Sequence, residues 1–88
     1  MRHAIQFLPS AQKALAALSK PIQRRIDEHM RALADNPRPH GAAPLKGGGR
    51  GLWRVRVGDY RILYQIRDAD LIVLVIDVAH RREVYRRL

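Results

Sequence analysis

The sequence predicts an α+β domain: one strand, a pair of helices, then an antiparallel sheet of three further strands and a short basic C-terminal segment. Three observations carry that order. Apolar residues recur at helical spacing between Pro9 and Asn36, they alternate from Trp53 to Ile66, and a nearly continuous apolar run follows from Leu71 to Ala79. Helical and strand patterns kept in separate blocks read as a helical layer on a sheet. With 88 residues the chain forms a single domain over residues 1–88, burying roughly 60% of the surface its unfolded form exposes.

His3 to Leu8 reads as the first strand, with Ala4, Gln6 and Leu8 on one face and Ile5 and Phe7 on the other. Pro9 opens a helix, since proline is favoured in a first helical turn, and Ala11, Ala14, Leu15 and Leu18 form its apolar stripe. Ser19-Lys20-Pro21 ends that helix and opens the next. There Ile22, Ile26, Met30 and Leu33 share one face, while Arg24, Arg25, Asp27, Glu28 and Arg31 cover the other. Asn36-Pro37 stops it, so the two helices are expected as an antiparallel hairpin over a sheet.

From Pro37 to Gly51 the chain reads as a Pro- and Gly-rich connection. Its Lys46-Gly47-Gly48-Gly49-Arg50 stretch is basic but lacks the Lys-Ser or Lys-Thr ending of a nucleotide-binding P-loop. Beyond it Trp53, Val55 and Val57 share one face of a strand, and Arg54 and Arg56 the other. Gly58-Asp59 suits a type II′ hairpin turn. The return strand, Tyr60 to Arg67, sets Tyr60, Ile62, Tyr64 and Ile66 against Arg61, Leu63 and Gln65. Asp68-Ala69-Asp70 closes a second hairpin into Leu71 to Ala79, which is apolar except for Asp77, as expected of a strand covered on both sides. Arg82 to Leu88 is expected as one or two turns of a basic helix or an extended tail.

Lys and Arg number 17 against 8 Asp and Glu, a formal charge of +9 spread over both halves of the chain. Such a field attracts polyanions: nucleic acid, an anionic membrane surface or an acidic protein. A membrane span is excluded by length, because the longest apolar run falls far short of the ~20 residues needed. No signal peptide is visible, and the absence of Cys removes disulfides, thiolate metal sites and Cys nucleophiles together. The four histidines, His3, His29, His40 and His80, fall into no metal-binding spacing, and the acids form no paired-carboxylate site. Cytoplasm is the expected location.

Alternation sets Arg54, Arg56 and Arg61 on the exposed face of one hairpin, with His80 and Arg81 just past the end of the adjoining strand and Tyr85 a few residues on. These groups are expected to converge on one concave surface. Guanidinium groups hold phosphate oxygens in a fork geometry, and Tyr and His move protons beside them, so the set points to a phosphodiester site. Any one of these arginines alone reads as a solvated cation. Trp53, Tyr60 and Tyr64 read as core.

The segments Leu45-Lys46-Gly47, Leu52 to Tyr64 with its Gly58-Asp59-Tyr60-Arg61 turn, and His80-Arg81-Arg82-Glu83-Val84-Tyr85 are together similar to the RelE branch of the RelE/ParE toxin superfamily. The resemblance covers essentially the whole chain and implies a RelE-like fold. It also implies the toxin of a type II toxin–antitoxin pair, which enters the ribosomal A site and cuts mRNA with neither metal nor cofactor. The RNA 2′-hydroxyl attacks the adjacent phosphate, leaving a 2′,3′-cyclic phosphate and a 5′-hydroxyl. Its implied partners are the ribosome, mRNA and an acidic RelB-like antitoxin.

By the same resemblance Arg61 holds the scissile phosphate, Arg81 stands beside the leaving group, and Tyr85 lies near the nucleophile. Lys46, Arg54, Arg56 and Arg82 are expected to bind RNA. Arg54 and Arg56 fall where the best-known member carries lysines, and arginine, with a pKa above ~12, holds phosphate but does not serve as a base. Tyr85 and His80 are left for proton transfer, Tyr85 first. The alternative is a ParE-type toxin that poisons DNA gyrase with no nuclease chemistry, a branch that generally lacks the tyrosine. A nucleic-acid-binding module without catalysis is the third reading.

Overall fold

In the computed structural model, which describes residues 2–45 and 51–80, two helices lie on one face of a five-stranded mixed sheet. The elements run β1 (Ala4–Phe7), α1 (Pro9–Ala16), α2 (Lys20–Asp35), β2 (Ala43–Pro44), β3 (Leu52–Val57), β4 (Tyr60–Arg67) and β5 (Ile72–His80), with a 3-10 turn at Asp68–Asp70. In space the strand order is β1-β5-β4-β3-β2. The β2–β3, β3–β4 and β4–β5 pairs are antiparallel, whereas β1 lies parallel to β5.

Two features depart from the expected sheet. The connection after Pro37 contributes a further strand, β2, only two residues long and carrying a proline, too short for any alternation to register. The first strand joins in parallel at the far edge, which no local pattern encodes.

The helices form where the apolar periodicity places them, each with a proline in its first turn. Ala11 of α1 and Ile26, Met30 and Leu33 of α2 are buried, against Val55, Val57, Ile62, Tyr64, Ile66, Val73, Val75 and Val78 of the sheet. Each fully buried aliphatic side chain contributes ~1.5–3 kcal/mol relative to exposure. Ile5, Phe7 and Leu8 pack against the same core. Leu8 does so although strand alternation assigns it to the opposite face, because β1 ends at Phe7 and Leu8 is the N-cap of α1.

Two glycines are required by the backbone. Gly51 adopts φ +72°, and a Cβ there would lie 2.9 Å from the carbonyl oxygen of Ile66, whose N–H donates to the Gly51 carbonyl at 2.8 Å. Gly58 adopts φ +59° while Asp59 keeps a negative φ, the pattern of a type II′ turn.

Candidate functional site

Among the described residues no helix lies on the sheet's second face, and on it three arginines come together. Arg54 sits opposite Leu63 on β4 and Ala43 on β2; Arg56 sits opposite Arg61; and Arg61 sits opposite Ala79 on β5. All three line one cleft of about 190 Å³ with Gly41 and Ala43. Arg54 and Arg56 are exposed and Arg61 is half-buried. The Arg56 Nε donates to the Gly58 carbonyl at 3.1 Å, which ties that side chain to the hairpin turn.

Like charges directly opposite on neighbouring strands are disfavoured, so a row of cations on a concave face is best compensated by an anion. Guanidinium forks converging from β3 and β4 match the oxygens of one phosphate. The cleft can therefore bind a phosphodiester and stabilise added charge on it.

His80 does not join this row. A bulge in the β4–β5 ladder pairs Leu63 with Asp77 and Tyr64 with Val75, leaving Ile76 without a register partner. One extra residue reverses the side-chain phase of β5. Val73, Val75 and, past the bulge, Val78 therefore face the helices, and His80, the register partner of Tyr60, faces the same way. Its ring meets the Tyr60 ring edge-on at 5.3 Å between centroids, with the planes 88° apart. Strict alternation from Leu71 puts His80 on the arginine face; the bulge puts it on the other, as the last residue of β5 rather than beyond its end.

The same phase change brings Asp77 onto the arginine face, diagonal to Arg61. Sequence reasoning missed it as a site residue. The available signal was a single acid in an otherwise apolar strand, and its direction depends on the bulge. Lys46, Arg81, Arg82 and Tyr85 lie outside the described residues, as does the rest of the expected C-terminal segment.

At the other end of the hairpin, side chains fix the frame that holds the row. The buried Tyr64 hydroxyl donates to the Pro37 carbonyl at 2.8 Å, and burial pushes its pKa up to about 12. Asp68 accepts from Arg38 Nη2 at 2.7 Å and lies 3.2 Å from His3 Nε2, contacts that hold its carboxyl below the ordinary range. The Arg38 guanidinium also lies over the Trp53 ring, 5.6 Å from its centroid. Tyr64, Trp53 and Tyr60 are thus core or core-flanking residues, as their alternation predicts. Among the described residues no three His, Asp or Glu side chains gather to hold a metal, and no helix is long and apolar enough to cross a membrane.

A family model described as the ParE toxin of type II toxin-antitoxin system, parDE, matches residues 5–85. Toxin RelG of Mycobacterium tuberculosis is 32% identical, over 99% of this chain and 100% of the relative. Among solved structures, the RelE–RelB complex of Pyrococcus horikoshii OT3 includes a chain with a TM-score of 0.82 and 29% identity, covering 92% of this chain and 97% of that one. A chain of the RelBE2 toxin–antitoxin complex of Mycobacterium tuberculosis gives a TM-score of 0.81 and 28% identity, covering 92% of this chain and 93% of that one.

Proposed function

The chain belongs to the RelE/ParE superfamily of type II toxin–antitoxin toxins, and from that premise we propose that it is a ribosome-dependent mRNA endonuclease that acts in the A site without a metal. The observation that carries this reading is the convergence of Arg54, Arg56 and Arg61 in one cleft on the face away from α1 and α2. The RelE names of its relatives support the same reading.

In the proposed reaction the ribosome presents one mRNA phosphate to this cleft. The 2′-oxygen forms a bond to phosphorus, its proton passes to a base, the P–O5′ bond breaks, and the 5′-oxygen takes up a proton. Arg61, with Arg54 and Arg56 beside it, stabilises the extra charge on the phosphorane; a single preorganised donor of this kind is typically worth about 10²- to 10³-fold in rate. Arg81 stabilises the leaving oxygen. The base is Tyr85, since the arginines stay protonated and His80 belongs to the opposite face. Lys46 and Arg82 add contacts to the RNA backbone. A site with so weak a base depends on the ribosome to align the 2′-hydroxyl, an effect that reaches ~7–11 kcal/mol, so free RNA is cut poorly.

The antitoxin is an acidic, RelB-like partner whose negative segment covers the arginine row. Its motive is the formal charge of +9. Action on translating ribosomes places the protein in the cytoplasm. Pulse labelling after induction tests the assignment: amino-acid incorporation is expected to stop first, while arrested DNA synthesis with continuing protein synthesis transfers the protein to gyrase poisoning.

A further inference from the structure

A second cleft, of about 130 Å³, opens at the tip of the β3–β4 hairpin, lined by Ile22 and Arg25 of α2 with Val57, Gly58, Asp59 and Tyr60. It lies on the helix-covered side, around the end of the sheet from the arginine row. Arg25 is exposed, and its guanidinium lies against the turn, with Nη1 3.3 Å from the position a Cβ on Gly58 would take. Tyr60 is half-buried, and the edge-on His80 ring, 5.3 Å away, fixes its orientation. A cation beside a held aromatic ring is the pairing that single-stranded RNA-binding surfaces use: the ring stacks on a base and the cation takes a phosphate.

The size of the cleft narrows the ligand. Sites for drug-sized molecules occupy ~300–1,000 Å³. This one has room for a single planar ring. The Asp59 carboxylate on its rim repels phosphate from the tip of the turn and leaves the Arg25 side as the place for it. Tyr60 directly precedes Arg61 in β4, with its side chain on the opposite face, so a strand crossing the end of the sheet passes from one cleft to the other.

We propose that this cleft is a second nucleotide subsite, which receives a base flanking the phosphate held at the arginine row, stacked on Tyr60, with the neighbouring phosphate on Arg25. His80 is a positioning residue that acts through Tyr60. The inference rests on the preceding functional reading only for the identity of the strand as the cleaved mRNA.

The test measures binding of the full chain to 2′-O-methyl RNA, which is not cleaved, as a dinucleotide and as a hexanucleotide, by fluorescence anisotropy over a salt series. Arg25→Ala is expected to weaken the hexanucleotide and to lower its salt slope by about 0.7, the value for one phosphate on a single strand. Tyr60→Leu should weaken it by roughly 5- to 150-fold, the range for one lost base stack. Arg25→Ala should leave dinucleotide binding unchanged, since a dinucleotide has only the phosphate held at the arginine row, whereas Tyr60→Leu and Arg61→Ala should weaken both lengths. Arg24→Ala removes the same charge one residue away from the cleft and should alter neither length beyond its share of general attraction. Tyr60 flanks the core, so Arg25→Ala, at an exposed position, decides the matter if Tyr60→Leu fails to fold. An Arg25→Ala effect no larger than that of Arg24→Ala, or equal for both lengths, overturns the subsite. If the Arg25 and Tyr60 effects appear while ribosome-bound mRNA stays intact, the subsite stands and the nuclease reading falls.

Discussion

Arg56 and Arg61 are register partners across the β3–β4 hairpin, two arginines opposite each other on the sheet face that neither α1 nor α2 covers. Two like charges in that arrangement disfavour the fold, typically by a few tenths of a kcal/mol up to ~1 kcal/mol, and an anion bound at the pair adds to whatever the Asp77 carboxylate, diagonal to Arg61, already offsets. The pair links the stability of the domain to its proposed ligand.

Anions should therefore raise the melting temperature specifically. An anion that binds only the folded chain, at ten times its Kd, adds about 1.4 kcal/mol. Thermal melts in pyrophosphate against chloride at matched ionic strength should show the shift, and Arg61→Ala should abolish most of it. An equal shift in that variant would show that the anion acts elsewhere or on the whole charge.

The two candidate proton carriers should separate cleanly. Tyr85→Phe keeps the ring and removes the hydroxyl, so single-turnover cleavage of ribosome-bound mRNA should fall by about 10²- to 10⁴-fold, the range for losing a general base. His80→Gln should cost far less, since His80 lies across the sheet from the arginines, edge-on to Tyr60. Near-normal cleavage by Tyr85→Phe together with collapse in His80→Gln would give the role to His80.

That contrast shows where the sequence was legible. The apolar stripes Ala11 to Leu18 and Ile22 to Leu33 and the alternation from Trp53 to Ile66 encode their burial directly, because each repeats with the period of its own element. The arginine row followed from the same alternation. His80 and Asp77 did not, because the bulge at Ile76 depends on how β4 and β5 pair, and one unpaired residue exchanges the faces of everything after it. The parallel seating of β1 on β5 is likewise a relation between distant segments. β2 escaped because two residues are too few for a period.

Tyr64→Phe should destabilise the domain while leaving the chemistry of folded molecules intact. It removes the donor to the Pro37 carbonyl, and leaving a buried acceptor unpaired costs about 1–3 kcal/mol. The same hydroxyl sets an alkaline limit. Its pKa rises from 10.0 to about 12 on folding, so the unfolded chain releases the proton first. The associated stability is fully present below pH 10 and is lost as pH rises through about 12. Denaturant titrations of wild type between these values should show that decline, and Tyr64→Phe should lack this component of it.

The central claim is that the arginine face cuts mRNA on the ribosome, and mapping mRNA 5′ ends after induction in cells tests it most directly. New 5′-hydroxyl ends should appear within translated regions in register with codons, and Arg61→Ala should erase them. Unbroken mRNA in arrested cells, or cuts with no relation to the reading frame, would contradict it.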